Sequence, residues 1–266
     1  AADHAIRPVA APVDPPPAID AAVSVTEDST AYLLFDLGNG QAVDNIVLAR
    51  SGTSSTLAFV VYAATGIGQL NAPGVIVNGQ WLHVAATFDG VSTARIYVNG
   101  ALVASGAMPA AKSVDRTLCF VGKSNWAADA LFRGGMREVR IFDVERTQAE
   151  IVATKDTTLA GSERGLRYYF RLGMQASWRE QNAAYPNDFW RQYREAKIFG
   201  TAADTQSLLP DARALRLDGR SGMVDLPGQS LDLSQGLTLE AWVCFNGTPK
   251  DHETLVAFGG GRSEEH

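Results

Sequence analysis

The chain has 266 residues, 46% of them hydrophobic, enough to fill the core of one large sandwich or of two small domains. A formal net charge of −6 with 20% charged residues argues against a nucleic-acid partner, which needs a concentrated basic surface. No apolar run approaches the ~18 residues needed to span a bilayer, so a soluble chain is expected.

Two cysteines, Cys119 and Cys244, provide neither a disulfide framework nor a zinc cluster. A single bridge between them stays open and requires Cα atoms within ~7 Å. The first residue is alanine rather than methionine, which is read as processing or as a fragment, with secretion the simplest expectation.

In chain order, residues 1–17 form a proline-rich extended arm, with PVAAPVDPPP at 8–17. Strands are predicted near 19–26, 31–37, 45–49, 57–62, 74–77, 81–88, 94–98, 101–105, 117–122 and 136–142, most of them bounded by Gly, Asn, Asp or Ser. The clearest is WLHVAATF: His83, Ala85 and Thr87 face one way, while Leu82, Val84, Ala86 and Phe88 face the other. Asp89-Gly90 then turns the chain, and Asn99-Gly100 is a type I′ hairpin signal, because both residues tolerate positive φ. Many short strands and little helix predict an all-β, antiparallel architecture.

Short helices are expected near 145–153, where Thr147 and Glu150 have capping-box spacing, and near 187–199, bounded by Asn187 or Asp188 and by Gly200. The second carries Phe189, Trp190, Tyr193 and Phe199 on an aromatic side that either packs on the sandwich or forms a sugar platform. An internal repeat is also visible: LTLEAWVCFNGTPKDHETLVAFGGG at 237–261 parallels AIDAAVSVTEDSTAYLLFDLGNG at 18–40.

WLHVAATFDG, ARIYVNGALVASG, LCFVGKSN and GGMREVRIFDVERTQAEI, in this order, resemble the laminin-G-like domains of the concanavalin-A-like jelly-roll superfamily. LRLDGRSGMVDLPGQSLDLSQGLTLEAWV resembles the opening strands of the same domain. The resemblance implies two curved antiparallel sheets in a secreted or cell-surface protein that binds glycans or other proteins, often beside calcium. Family members often carry an acid just before the Glu-Val-Arg of the last strand. Here Arg137 stands there, which argues against the usual calcium site; Asp218, in the LDG turn, is the acid expected to contact a metal if one binds.

The opening-strand match follows the rest of the domain instead of preceding it. The expected organisation is therefore an arm at 1–17, a sandwich at 18–160, a connector with the aromatic helix at 161–212, and opening strands at 213–266. Those strands complete the sandwich in cis, complete that of a neighbouring chain, or begin a truncated second domain. An unpaired edge there would invite aggregation.

No pair of carboxylates with glycosidase spacing is present, and Glu240 stands alone in a strand. His83 reads as a packed sheet residue. Trp126, in the SNWAADALF loop, is a candidate sugar contact together with Trp190. The expected function is a non-catalytic binding module for carbohydrate or an extracellular protein. The alternatives are a subunit that self-assembles into fibres or oligomers by strand addition, and an accessory domain of a larger glycosidase.

Overall fold

The computed structural model describes residues 32–127, 129–172, 179–180, 182–184, 196–199, 214–219, 222–246, 253–254 and 256–258. The arm at 1–17 and the strand expected at 19–26 lie outside the described residues. β1 (Tyr32–Gly38), β2 (Ile46–Arg50), β3 (Leu57–Ala63) and β4 (Gly66–Ala72) come first. β5 (Trp81–Phe88), β6 (Thr93–Val98) and β7 (Ala101–Ala107) follow, then β8 (Asp115–Arg116), β9 (Leu118–Val121), β10 (Ala130–Leu131) and β11 (Arg133–Phe142). Helix α1 (Gln148–Thr154) precedes β12 (Leu166–Phe170), β13 (Arg179–Glu180), β14 (Ala196–Phe199), β15 (Leu215–Asp218) and β16 (Met223–Asp225). The last are β17 (Gln229–Ser230), β18 (Leu237–Phe245), β19 (Glu253–Thr254) and β20 (Val256–Phe258).

Two large sheets result. One runs β10-β19-β2-β1-β20-β9-β16-β14-β13, with β3 and β4 beyond β2; the other runs β12-β11-β18-β5-β6-β7, with β15 also on β11. Alternation along each strand sends one row inward. Leu82, Val84, Ala86 and Phe88 of β5 and Leu239, Ala241 and Val243 of β18 meet Ile46, Leu48, Phe59, Val61 and Val121 of the opposite sheet in one core. The β6–β7 hairpin turns at Asn99 (φ 52°) and Gly100 (φ 82°), the left-handed pair that a type I′ turn needs.

The C-terminal segment joins both sheets. β18 pairs along its length with β5, from Leu237↔Phe88 to Cys244↔Trp81, and on its other side with β11. β20 lies between β1 and β9. The second strands of the two sequence copies are thus neighbours.

Two expectations need correction, and one open question is answered. Residues 74–77 are not a strand. The chain instead turns after Ala63 and pairs Gly66–Ala72 residue for residue with β3. GIGQLNA has little intrinsic strand preference, and its ladder with β3 is what holds it. The helix expected over 187–199 does not reach its C-terminal end: Ala196–Phe199 is β14, held by pairing Ile198↔Val224 with β16. Its other residues lie outside the described residues. Cys119 and Cys244 are both buried and free. Cys119 belongs to the core row of β9, whereas Cys244 lies on the outward row of β18 in the other sheet.

The outward row of β18, Thr238, Glu240, Trp242 and Cys244, is buried, and α1 with the chain leading into it covers the polar pair Thr238 and Glu240. Thr147 caps α1 through a capping box with Glu150, and Ile151 packs on Ala85 and Tyr97. Underneath, the Glu240 carboxylate accepts from Arg146 Nη1 at 2.8 Å, with Arg140 Nη1 at 3.6 Å and His83 Nε2 at 3.8 Å. Burial alone would raise the Glu240 pKa, but His83, Arg146 and Arg140 together hold it below its ordinary value. Burial lowers the His83 pKa, so the imidazole is neutral.

Glu240→Ala leaves two buried guanidinium groups without their shared anion and is expected to cost roughly 3–5 kcal/mol in urea unfolding. Val152→Ala, on the exposed side of α1, is expected to change stability by no more than about 0.5 kcal/mol. Equal effects would contradict the pinning role of Glu240.

Candidate functional site

The outward face of the first sheet carries an apolar strip, Val47, Ala49, Val60 and Tyr62, against which Trp126 packs. The Tyr62 and Trp126 rings lie 5.3 Å apart, tilted by 43°. Both residues are only partly buried. The loop after β9 folds back over its own sheet, tied by Trp126 N donating to Ser124 Oγ at 2.9 Å and Phe132 N donating to Gly122 O at 2.9 Å.

Beside this aromatic pair lies a polar cluster. Asp36, on the outward row of β1, is fully buried. Its Oδ1 accepts from Asn45 Nδ2 at 2.5 Å, and its Oδ2 accepts from both the backbone N and the Nδ2 of Asn125 at 3.1 Å. Asn45 is buried as well, and its Oδ1 has no partner among the described residues. Asn45 fits tightly against β1 because residue 38 is glycine; a Cβ there would fall 2.1 Å from Asn45 Nδ2.

Among the described residues, no cation pairs with Asp36. Desolvation by burial is the main cause that pushes its carboxyl up to about 7, with Asp129 adding repulsion, while Asn45 and Asn125 pull the other way. Burial, followed by Asp36 and Asp129, raises the Tyr62 phenol. Asp36 therefore works from below: it fixes Asn125, which is itself partly exposed. An indole face, a phenol, an amide and the Asp129 carboxylate converge on one patch. This mix of stacking surface with hydrogen-bond donors and acceptors suits a polyhydroxylated ligand.

Of the residues singled out from the sequence, Trp126 belongs to this patch. Trp190 lies outside the described residues. Asp218 ends β15 opposite Arg133, and its Oδ1 accepts from Gly222 N at 3.1 Å across the following turn. Among the described residues, no group of three or more His, Cys, Asp or Glu converges in a metal-binding arrangement. Arg137 is far along β11 from Arg133, on the outward face of the second sheet. Glu240 and His83 are sealed under α1, beyond the reach of a substrate. Asp36, Asn45 and Asn125 escaped sequence reading, although the outward place of Asp36 in YLLFDLG follows from alternation.

Two sheets face to face, with strands that alternate core and surface rows and a loop folded over one outer face, define a jelly-roll sandwich of the lectin type. The chain belongs to the concanavalin A-like lectin/glucanases superfamily, whose laminin G profile matches residues 20–152. It is also similar to Pappalysin-1 of Mus musculus, 36% identical over 99 residues that make up 35% of this chain and 6% of that protein. The chain thus spans only a small part of the length of this relative. No solved structure matches it.

The Asp36 site makes a pH prediction. A carboxyl whose folded value lies above its unfolded value adds stability that is complete below pH ~4 and is lost as pH rises to about 7. The loss is on the order of 4 kcal/mol. Asn at position 36 can accept from Asn125 through its oxygen and donate to Asn45 through its nitrogen. Asp36→Asn should therefore flatten the fall in urea midpoint between pH 4 and 7 and leave the variant more stable than the parent at pH 8. Identical pH profiles would contradict the assignment.

Proposed function

We propose that the chain is a carbohydrate-binding module of a secreted or cell-surface protein, with its ligand seated against Trp126 and Tyr62 and hydrogen-bonded by Asn125 and Asp129. The partly exposed Trp126–Tyr62 pair beside the Asp36–Asn125 cluster carries this reading. An aromatic ring gives a pyranose an apolar platform, and the adjacent amide and carboxylate orient its hydroxyls. Membership of a lectin superfamily is in keeping with it, although a fold hosts many functions and the site must make the argument. Trp190 enters as a second aromatic contact and Asp218 as the acid through which any calcium dependence would act.

The test is a glycan array followed by titration calorimetry of the ligand found. Trp126→Ala should weaken binding by at least about tenfold, or 1.4 kcal/mol, without lowering the melting temperature enough to unfold the chain. Asp218→Asn, run with calcium and with chelator, reads the metal contribution. A chain that binds an extracellular protein but no glycan, or a Trp126→Ala variant with undiminished affinity, would overturn the proposal.

A further inference from the structure

The buried carboxyl of Asp36 joins three parts of the chain. Asp36 itself lies within β1, paired with Val47 of β2 on one side and Ala257 of β20 on the other. Asn45, its partner at Oδ1, immediately precedes β2, and its carbonyl accepts from Tyr62 N of β3 at 2.8 Å. Both residues are therefore held by the ladders of the first sheet. Asn125 is not, for it belongs to the loop after β9 and reaches Oδ2 through its backbone N and its Nδ2, each at 3.1 Å. The next residue is Trp126, stacked on Tyr62. The carboxyl thus fastens the segment that carries the indole to a rigid sheet.

Among the described residues, the groups that face Asp36 offer no counter-charge. Tyr62 comes from β3, Asp129 from the loop and Cys119 from β9, and each is either neutral or negative. β20 brings Val256, Ala257 and Phe258, while Glu253 of β19 stands in register with Ala130 beside Asp129. Lys123, the cation of the loop, has its Nζ 4.5 Å from the Phe120 ring, and its charge acts on Asp225 of β16. An ionised Asp36 is costly in this setting, and either a proton or water relieves it. The protonated form fits the closed site. Oδ2 already accepts twice, so the proton sits on Oδ1 and is accepted by Asn45 with its amide turned over; 2.5 Å is an ordinary O–H···O length. Burial, the leading cause that raises this carboxyl to about 7, brings the two forms within reach of neutral pH.

We propose that Asp36 is a proton-controlled latch on the segment Lys123–Trp126: protonated, it holds Asn125 and Trp126 against the sheet, and ionised, it releases them and takes up water. The inference rests on the reading of this patch as the ligand site and adds its regulation, because a sugar that needs the closed segment binds more weakly as pH rises. Asp129 travels with the loop, and its repulsion of an ionised Asp36 favours release. The equilibrium constant for release is lowest below pH ~4, where both states carry the proton. It rises about tenfold per pH unit while only the closed state keeps the proton, and it levels out above about 7.

The full chain, without ligand, is followed by NMR amide exchange from pH 5 to 8, each rate being divided by the intrinsic rate for its residue. The Asn125 amide, which donates to the carboxyl itself, should lose protection about tenfold per pH unit up to pH ~7 and then level out. Asp36→Asn keeps the hydrogen bonds and cannot ionise, so its Asn125 protection should stay constant. Asp129→Asn removes the repulsion and should move the levelling to lower pH. The amides of β5 should stay better protected than Asn125 throughout, since the segment opens without global unfolding. Protection at Asn125 that does not change with pH in the parent, the same slope in Asp36→Asn, or exchange of Asn125 only at the rate of β5 would overturn the proposal. Because no sugar is present, failure here and failure of the glycan array are read separately.

Discussion

A single carboxylate, Glu240, sits at the centre of the second sheet with no access to water, and the arrangement around it follows from that fact. An ionised acid so placed must be met by cations. Arg140 from β11 and Arg146 from the chain leading into α1 supply them. The same three residues thereby fix β18 beside β11 and bring α1 down over the sheet. His83, neutral beside the acid, completes the packing from β5. Because β18 lies between β5 and β11, this electrostatic centre also sets the register of the strands that build half the core.

The two outward faces are covered in contrasting ways. α1 covers the middle of the second sheet and leaves its far end, at Trp81, Arg137 and Trp242, shielded but without an anion. On the first sheet the loop after β9 covers the strip of Val47, Ala49 and Val60 and presents Trp126 beside Asn125. On the first sheet the Asp36 carboxyl holds Asn125 beside Trp126, and on the second the bulge at Glu138 places Arg137 across from Trp242.

Much of the fold was legible because its signals are local. The alternation in WLHVAATF, the Asn99-Gly100 turn and the Thr147–Glu150 capping box each depend on a few adjacent residues, and each appears in the structure. β4 and β14 were misread for the opposite reason: their residues have weak or helical local preference, and only pairing with β3 and β16 makes them strands. The polar centres were illegible in kind. Asp36 and Asn125 are 89 positions apart, and Arg146 and Glu240 are 94 apart, so no spacing rule connects them. Trp126 could be singled out as an aromatic residue in a loop, but its partner Tyr62 could not.

Native-state hydrogen exchange of the whole chain tests whether β18 occupies the middle of the second sheet. The amides of Leu237–Phe245 should exchange only through global unfolding, as slowly as those of β5 and β11. Exchange of β18 on the timescale of surface loops, while β5 and β11 stay protected, would contradict it.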